Sequence, residues 1–120
     1  MQNNIITANT YHNGLIAEFM NVKVVTLDEI RSNKEPFYSS ADGYTAEDLQ
    51  YHTSWNWLMP VVEMIESDER YDVDILQYGT RIIERTKTES IEIVNNIANI
   101  SFDKKIEHTY QAIVDFIKQQ

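Results

Sequence analysis

The richest chemical signal in the sequence is an aromatic group, Tyr44, Tyr51, Trp55 and Trp57, most of which lies at the start of a predicted helix. Trp55 and Trp57 would lie about 200° apart around the helix axis, so they cannot both face the same core layer. Tryptophan and tyrosine at a surface are typical of interface anchors, whereas a helix enclosed between a sheet and the segment 28–50 would bury them. Both interpretations stay open. The candidate binding residues are Tyr51, His52, Trp55 and Trp57.

The 3 histidines do not form a metal-binding pattern. His12, His52 and His108 lie on or near different predicted elements, and no His-x-x-x-His or Glu-x-x-His spacing presents two ligands on one helix face. Cysteine is absent, which excludes disulfides, thiolate catalysis and cysteine-ligated zinc or iron–sulfur clusters. We therefore expect surface or capping histidines, no metal site and no cofactor.

Carboxylates are plentiful but are not arranged as a cation site. Glu63 and Glu66 share one predicted helix face, and Asp72 and Asp74 point the same way from a predicted strand. A hard cation needs several converging oxygens, usually with a glycine turn, and the sequence has no such loop. We interpret these side chains as a solvated acidic surface.

Glycine is scarce, which excludes several common site types. With only Gly14, Gly43 and Gly79, the chain cannot build a phosphate loop or a dinucleotide-binding fingerprint, and it has no Gly-x-Ser-x-Gly elbow. The common nucleotide-dependent and hydrolytic enzymes are therefore disfavoured, and an enzyme is not the first hypothesis.

The charge balance limits the partners. The chain has 10 Lys and Arg residues against 19 Asp and Glu residues, for a net charge of −9. Such a surface repels nucleic acid and anionic lipid. It leaves open a basic protein partner, self-association, a cation or imitation of DNA. The longest apolar run, 57–62, is far below the roughly 20 residues of a membrane span, and residues 1–7 lack a signal-peptide pattern. We expect a cytoplasmic protein that does not bind membranes.

The first half of the chain contains a predicted helix and a predicted strand. Apolar spacing indicates a helix over residues 12–20, which Asn13 could cap. A run rich in β-branched residues indicates a strand over 22–27. Residues 28–50 are polar and irregular, with a brief extended piece at 37–38.

The central helix is predicted to begin after Thr53 or Ser54, since either hydroxyl could cap it. Its apolar residues cover most of its girth, which is typical of a helix buried on more than one side. Pro60 either kinks this helix by removing the bond to Asn56, or begins a second helix after a short turn.

The following segment alternates as strands do. Residues 71–78 and 90–94 are predicted strands, each with apolar residues on one face. Residues 81–84 either continue the first strand through a bulge at Gly79 or pair with it after a turn.

The last predicted helix, capped by Asp103 or Ser101, is the clearest element, and it completes an α+β fold in a single domain, 1–120. The order αβαββ(β)α predicts a small, mainly antiparallel sheet of three to four strands, packed by three helices in a sandwich-like arrangement. The apolar stripe of the last helix is Ile106, Tyr110, Ile113 and Ile117.

Three segments resemble a group of small phage and prophage proteins that occur especially in gut Bacteroidetes. They are YHTSWNWLMPVVEMIE (51–66), LIAEFM (15–20) and IEHTYQAIVDFIK (106–118). The pattern is also similar to the phage α-β-α sandwich domain, in which an IAEFM helix precedes a Tyr-x-Thr/Ser helix start. The resemblance implies a fold and a phage or prophage setting, but it brings no activity and no catalytic residues.

The leading hypothesis is a non-catalytic accessory protein of a phage or prophage that binds another macromolecule. The first alternative is a small-ligand-binding protein or enzyme with a pocket near His52, Trp55 and the segment 28–50. The second is an acidic DNA mimic that inhibits a host factor, which requires carboxylates spaced like phosphates along one face.

Overall fold

The computed structural model describes residues 8–25, 44–45, 48–98 and 101–120. Their contacts fall into two compact units, Met1–Gln50 and Tyr51–Gln120, and each is described by itself. The single domain 1–120 stays a prediction. The helices of the described residues are α1 (Ala8–Phe19), α2 (Trp55–Glu66) and α3 (Lys105–Lys118). The strands are β1 (Val24–Val25), β2 (Tyr44–Thr45), β3 (Tyr71–Ile75), β4 (Thr80–Arg85) and β5 (Ser90–Asn95).

Helix α1 of the first unit ends at Phe19, and Asn21, two residues later, has a left-handed φ of 59°. Asparagine tolerates this conformation better than most residues, so it is a common helix stop. The N–H of Val22 donates to the carbonyl of Ala17 (2.8 Å), and the N–H of Asn21 donates to that of Glu18 (3.1 Å). These bonds satisfy two carbonyl groups of the last turn.

Asn13 does not cap α1, contrary to the sequence-based expectation. The helix already begins at Ala8, so Asn13 lies inside it, and its side chain is buried. Its Nδ2 donates to the backbone carbonyl of Leu49 (3.2 Å), another buried residue of the same unit. The amide therefore joins α1 to the end of the first unit.

Of the strand predicted over 22–27, the described residues show β1; residues 26–27 lie outside the described ranges. Val24 and Val25 pair in parallel with β2. The segment 28–50 was expected to be irregular, and β2 corrects that expectation at Tyr44–Thr45. The extended piece at 37–38 lies outside the described residues.

The second unit is built on an antiparallel sheet in which β4 lies between β3 and β5. Ile75 pairs with Thr80, so β3 and β4 form a hairpin with Gly79 in its turn. Of the two alternatives for Gly79, the turn is correct and the bulge is wrong. A register shift occurs instead between Ile82 and Ile83, where β4 pairs with β5.

The inner face of this sheet packs against α2 and α3. The rings of Tyr71 on β3 and Phe116 on α3 meet edge to face, with their centroids 4.9 Å apart. At the end of α2, Glu66 Oε2 accepts a hydrogen bond from the N–H of Val73 (3.2 Å). The buried side chains of the inner face are Tyr71, Val73, Thr80, Ile82 and Val94.

The outer face of the sheet carries charges in pairs. Arg81 Nε lies 2.9 Å from Asp74, and Arg81 Nη1 lies 3.1 Å from Glu92. Arg85 lies 3.1 Å from Asp72. Alternation along each strand thus places apolar residues under the helices and ion-paired residues on the other side.

Helix α2 runs unbroken through Pro60, so the alternative with a second helix beginning there is wrong. Ser54 is the N-cap, as expected, but its hydroxyl makes no capping bond; instead its carbonyl accepts from the N–H groups of Trp57 (3.1 Å) and Leu58 (3.0 Å). Pro60 offers no N–H to the carbonyl of Asn56. Both residues are exposed, so water can satisfy that carbonyl.

Helix α3 begins later than expected, with Lys104 at the N-cap instead of Asp103 or Ser101. Lysine has no acceptor atom with which to cap a helix. Glu107 in the first turn closes this end of the helix instead, because its Oε1 accepts hydrogen bonds from the backbone N–H groups of Asp103 (2.8 Å) and Lys104 (3.3 Å). A carboxylate also suits the positive end of the helix dipole.

The predicted α+β class is confirmed: among the described residues, three helices accompany a three-stranded antiparallel sheet. The described residues contain no helix that is long and apolar enough to cross a membrane.

Gly79→Ala is expected to lower the free energy of unfolding by about 1–3 kcal/mol, because the added Cβ would collide with the backbone of Ile97. Gly14→Ala is the matched control. In α1 the same Cβ meets nothing within 4 Å, and we expect it to stabilise the helix by about 0.5–1 kcal/mol. Urea unfolding followed by circular dichroism measures both changes. Two effects of the same sign would contradict the close approach at Gly79.

Candidate functional site

The structure separates the four predicted site residues. Tyr51 is buried, and its ring meets that of half-buried Trp57 edge to face, with centroids 5.2 Å apart and an angle of 89°. His52 is also half-buried, with its ring 6.1 Å from that of Tyr110. Trp55 is 37% exposed. Trp57 and Tyr51 therefore stabilise the start of α2, whereas Trp55 remains accessible to a partner.

Trp55 belongs to an apolar surface on the outer side of α2. Trp55 and Met59 lie four residues apart, as do Pro60 and Met64, so each pair is adjacent on the helix. Met59 is 36% exposed and Met64 45% exposed, and Pro60 is exposed as well. We call these four residues the α2 outer face. The opposite side of the helix holds the buried Leu58, Val61, Val62 and Ile65.

A buried polar cluster lies between the sheet and α3. Thr80 Oγ1 lies 2.7 Å from His108 Nδ1 and 3.0 Å from Thr109 Oγ1. Asn96 Oδ1 accepts from the N–H of Thr80 (2.8 Å), and Asn96 Nδ2 donates to the carbonyl of His108 (2.8 Å). We call these four residues the Thr80 cluster. It joins β4, the residue after β5 and the second turn of α3.

The expectation of surface or capping histidines is wrong for His108, which is 2% exposed. Burial lowers the pKa of His108 from its usual value of 6.5, and the positive charge of Lys105 lowers it further. The backbone of Gln77 and the negative charge of Glu107 partly offset this decrease. The ring is therefore held neutral. Its Nε2 is buried without a hydrogen-bond partner among the described residues. The backbone of Gln77 lies close enough to raise the pKa of the ring, but it does not make a full hydrogen bond with Nε2.

His108 also lines a cavity of about 580 Å³ at the N-terminus of α3. The volume lies in the usual range for small-molecule sites. We call this cavity the α3 cleft. A shallower cavity of about 330 Å³ lies beside Gly14 and Glu18 in the first unit. His52 and Trp55 line neither of them. The α3 cleft is lined by Gln77, Tyr78, Phe102, Asp103, Lys104, Lys105 and His108.

The Thr80 cluster stabilises the packing of α3 on the sheet, and it is not accessible to a substrate, as a catalytic site must be. The hydroxyl of Thr80 lies beside His108 Nδ1 as a nucleophile lies beside its base, but Thr80 is 0% exposed and, unlike His108, lines neither cavity, so no substrate can reach it. Within the described ranges, no three His, Cys, Asp or Glu side chains converge as a metal site.

The burial of His108 was not predicted, because the predicted apolar stripe of α3 was centred on the isoleucines. Ile106 and Ile117 are only half-buried. The small residue Ala112 lies four positions after His108 and is fully buried, which marks the side where the helix approaches the sheet closely. The small side chain of Ala112, four residues after His108, was the available signal.

Thr80→Val is expected to lower the free energy of unfolding by about 1–3 kcal/mol, because it leaves His108 Nδ1 and Thr109 Oγ1 buried without their shared partner. Thr88→Val, at an exposed turn, is the matched control and should stay within about 0.5 kcal/mol of the parent. Urea unfolding monitored by tryptophan fluorescence measures both. Equal effects would show that the cluster contributes little.

His108 is expected to make stability depend on pH. Its native pKa lies below its unfolded value, so the unfolded chain binds more protons between the two values. The contribution is complete above the unfolded pKa of about 6.5, and it is lost as pH falls from that value through the lower native pKa. The urea midpoint should therefore drop from about pH 7.5 to about pH 5.5, and less so in His108→Gln. An unchanged slope in that variant would contradict the role of His108.

No protein-family model matches the chain, and comparisons with curated proteins and with solved structures find no significant similarity. The phage resemblance of residues 15–20, 51–66 and 106–118 stays a prediction.

Proposed function

We propose that the protein is a non-catalytic accessory protein of a phage or prophage, and that it binds another protein through the α2 outer face. The genomic setting is supported by the resemblance of the segments 15–20, 51–66 and 106–118 to phage and prophage proteins. The binding mode is supported by the exposure of Trp55, Met59 and Met64 on one helix.

The α2 outer face has the composition of a binding surface. Tryptophan is among the residues most enriched at the energetic centres of interfaces. Methionine side chains adapt to the shape of a partner because they are flexible and polarizable. The buried side of α2 is formed by other residues, Leu58, Val61, Val62 and Ile65. Isolated apolar residues are normal on a surface, but here two adjacent apolar pairs lie on one helix, on either side of Glu63.

The partner that fits this surface has an apolar groove bordered by basic side chains. Glu63 is exposed between the two apolar pairs of α2, and the chain carries a net charge of −9. A helix that lays exposed apolar residues into a groove is a common mode of protein recognition. Basic residues at the rim would add electrostatic attraction and raise the association rate.

The DNA-mimic alternative receives less support from the described charges. A mimic needs uncompensated carboxylates in a row, whereas Asp72, Asp74 and Glu92 on the sheet are each paired with an arginine. The alternative of a small-ligand pocket near His52, Trp55 and the segment 28–50 stays a prediction, because most of that segment lies outside the described residues.

A double variant tests the proposal. Trp55→Ala with Met64→Ala should abolish recovery of the partner after cross-linking in host cells. Leu76→Ala with Ile91→Ala is the control, because these residues are 41% and 43% exposed outside α2. With the purified partner, the α2 variant should bind at least about 30-fold more weakly, as expected for a tryptophan anchor. Equal recovery with both variants, at equal thermal midpoints, would refute the proposal.

A further inference from the structure

The α3 cleft is independent of the α2 outer face and shares no residue with it. Its walls come from the turn between β3 and β4, represented by Gln77 and Tyr78, and from the start of α3. The Thr80 cluster lies directly beneath and fixes the two walls relative to each other, because Thr80 follows the turn and His108 belongs to α3.

Two of the side chains that line the cleft, those of Lys104 and Lys105, carry a positive charge and form no ion pair within the described part of the chain. They lie at the positive end of the α3 dipole. The nearby carboxylate of Glu107 is hydrogen-bonded to the backbone of Asp103 and Lys104, and not to a lysine side chain.

A buried nitrogen in the wall of the cleft also lacks a partner. The Nδ1 of His108 is turned toward Thr80, whereas Nε2 makes no hydrogen bond with the described residues. Its electrostatic neighbour is the backbone of Gln77, which lines the cleft as well. Burying a polar atom without a partner is unfavourable, and a ligand atom that enters beside Gln77 would relieve that cost.

Two aromatic rings frame the same space. Phe102 is half-buried and meets the ring of His108 edge to face, with centroids 6.1 Å apart at 75°. Tyr78 is 71% exposed on the opposite wall. Aromatic rings of this kind offer surfaces on which a flat ligand can stack.

We propose that the α3 cleft binds a small anion that carries an aromatic ring. Lys104 and Lys105 hold the negative group, Phe102 and Tyr78 contact the ring, and His108 Nε2 supplies a hydrogen bond. Asp103 also lines the cleft, and its negative charge repels an anion. Removal of that charge must therefore increase the affinity for the ligand.

Binding is measured by two-dimensional NMR titration of the full chain with phenyl phosphate as the probe. Inorganic phosphate and phenol are the matched controls, since one lacks the ring and the other the charge. Phenyl phosphate should produce saturable shifts at residues of the cleft and should move the His108 Nε2 resonance. The His12 and His52 resonances should not move. The two controls should bind at least about tenfold more weakly, in keeping with a site that needs both groups.

Variants that remove charges at the rim of the cleft then show which side chains bind the negative group of the ligand. Lys104→Gln with Lys105→Gln should weaken binding about fivefold or more, and Asp103→Asn should tighten it by about twofold. Lys87→Gln, at an exposed turn, should bind as the parent does. The proposal is overturned if phenyl phosphate does not bind, if phosphate or phenol binds equally well, if the lysine variant is unchanged, or if Asp103→Asn weakens binding.

Discussion

The requirement that buried polar groups find partners determines how the second unit is assembled. Thr80 lies at the centre of this requirement, because its hydroxyl meets two side chains of α3 while its N–H is held by Asn96. Each contact crosses from one element to another, so the bonds form together or not at all. Apolar packing would allow α3 to slide along the sheet, whereas hydrogen bonds of defined direction fix one position.

The position of α3 in turn shapes everything at its N-terminus. The hairpin turn approaches the residues after β5 so closely that Gly79 has no room for a side chain beside Ile97. His108 is held with one nitrogen engaged and the other within the wall of the α3 cleft. The same bonds that stabilise the core therefore hold the cleft open in a single geometry, and a pre-formed site loses less entropy on binding.

The alternation of the strands and the apolar spacing of the helices were enough to predict the α+β class, because burial follows those periods directly. The ends of the helices were less predictable. Lys104 occupies a position for which lysine has no capping atom, and Glu107 compensates from three residues away. His108 was missed because its burial depends on Ala112 and Thr80, which the sequence does not place together. Tyr51, Trp55 and Trp57 were all candidate binding residues, and only coordinates distinguish the packing of Tyr51 and Trp57 from the exposure of Trp55.

The end of the chain has a consequence for the behaviour of the sheet at high concentration. β5 is an edge strand, and its unpaired backbone groups could accept a strand from another molecule. Gln119 follows α3 and donates its side-chain amide to the carbonyl of Ile93 on that edge (2.9 Å). The register shift beside Ile82 also interrupts the regular spacing of the ladder. At β5 an incoming strand would therefore meet an irregular and partly occupied edge, which opposes extension of the sheet from that side; β3 forms the other edge of the sheet in the described residues.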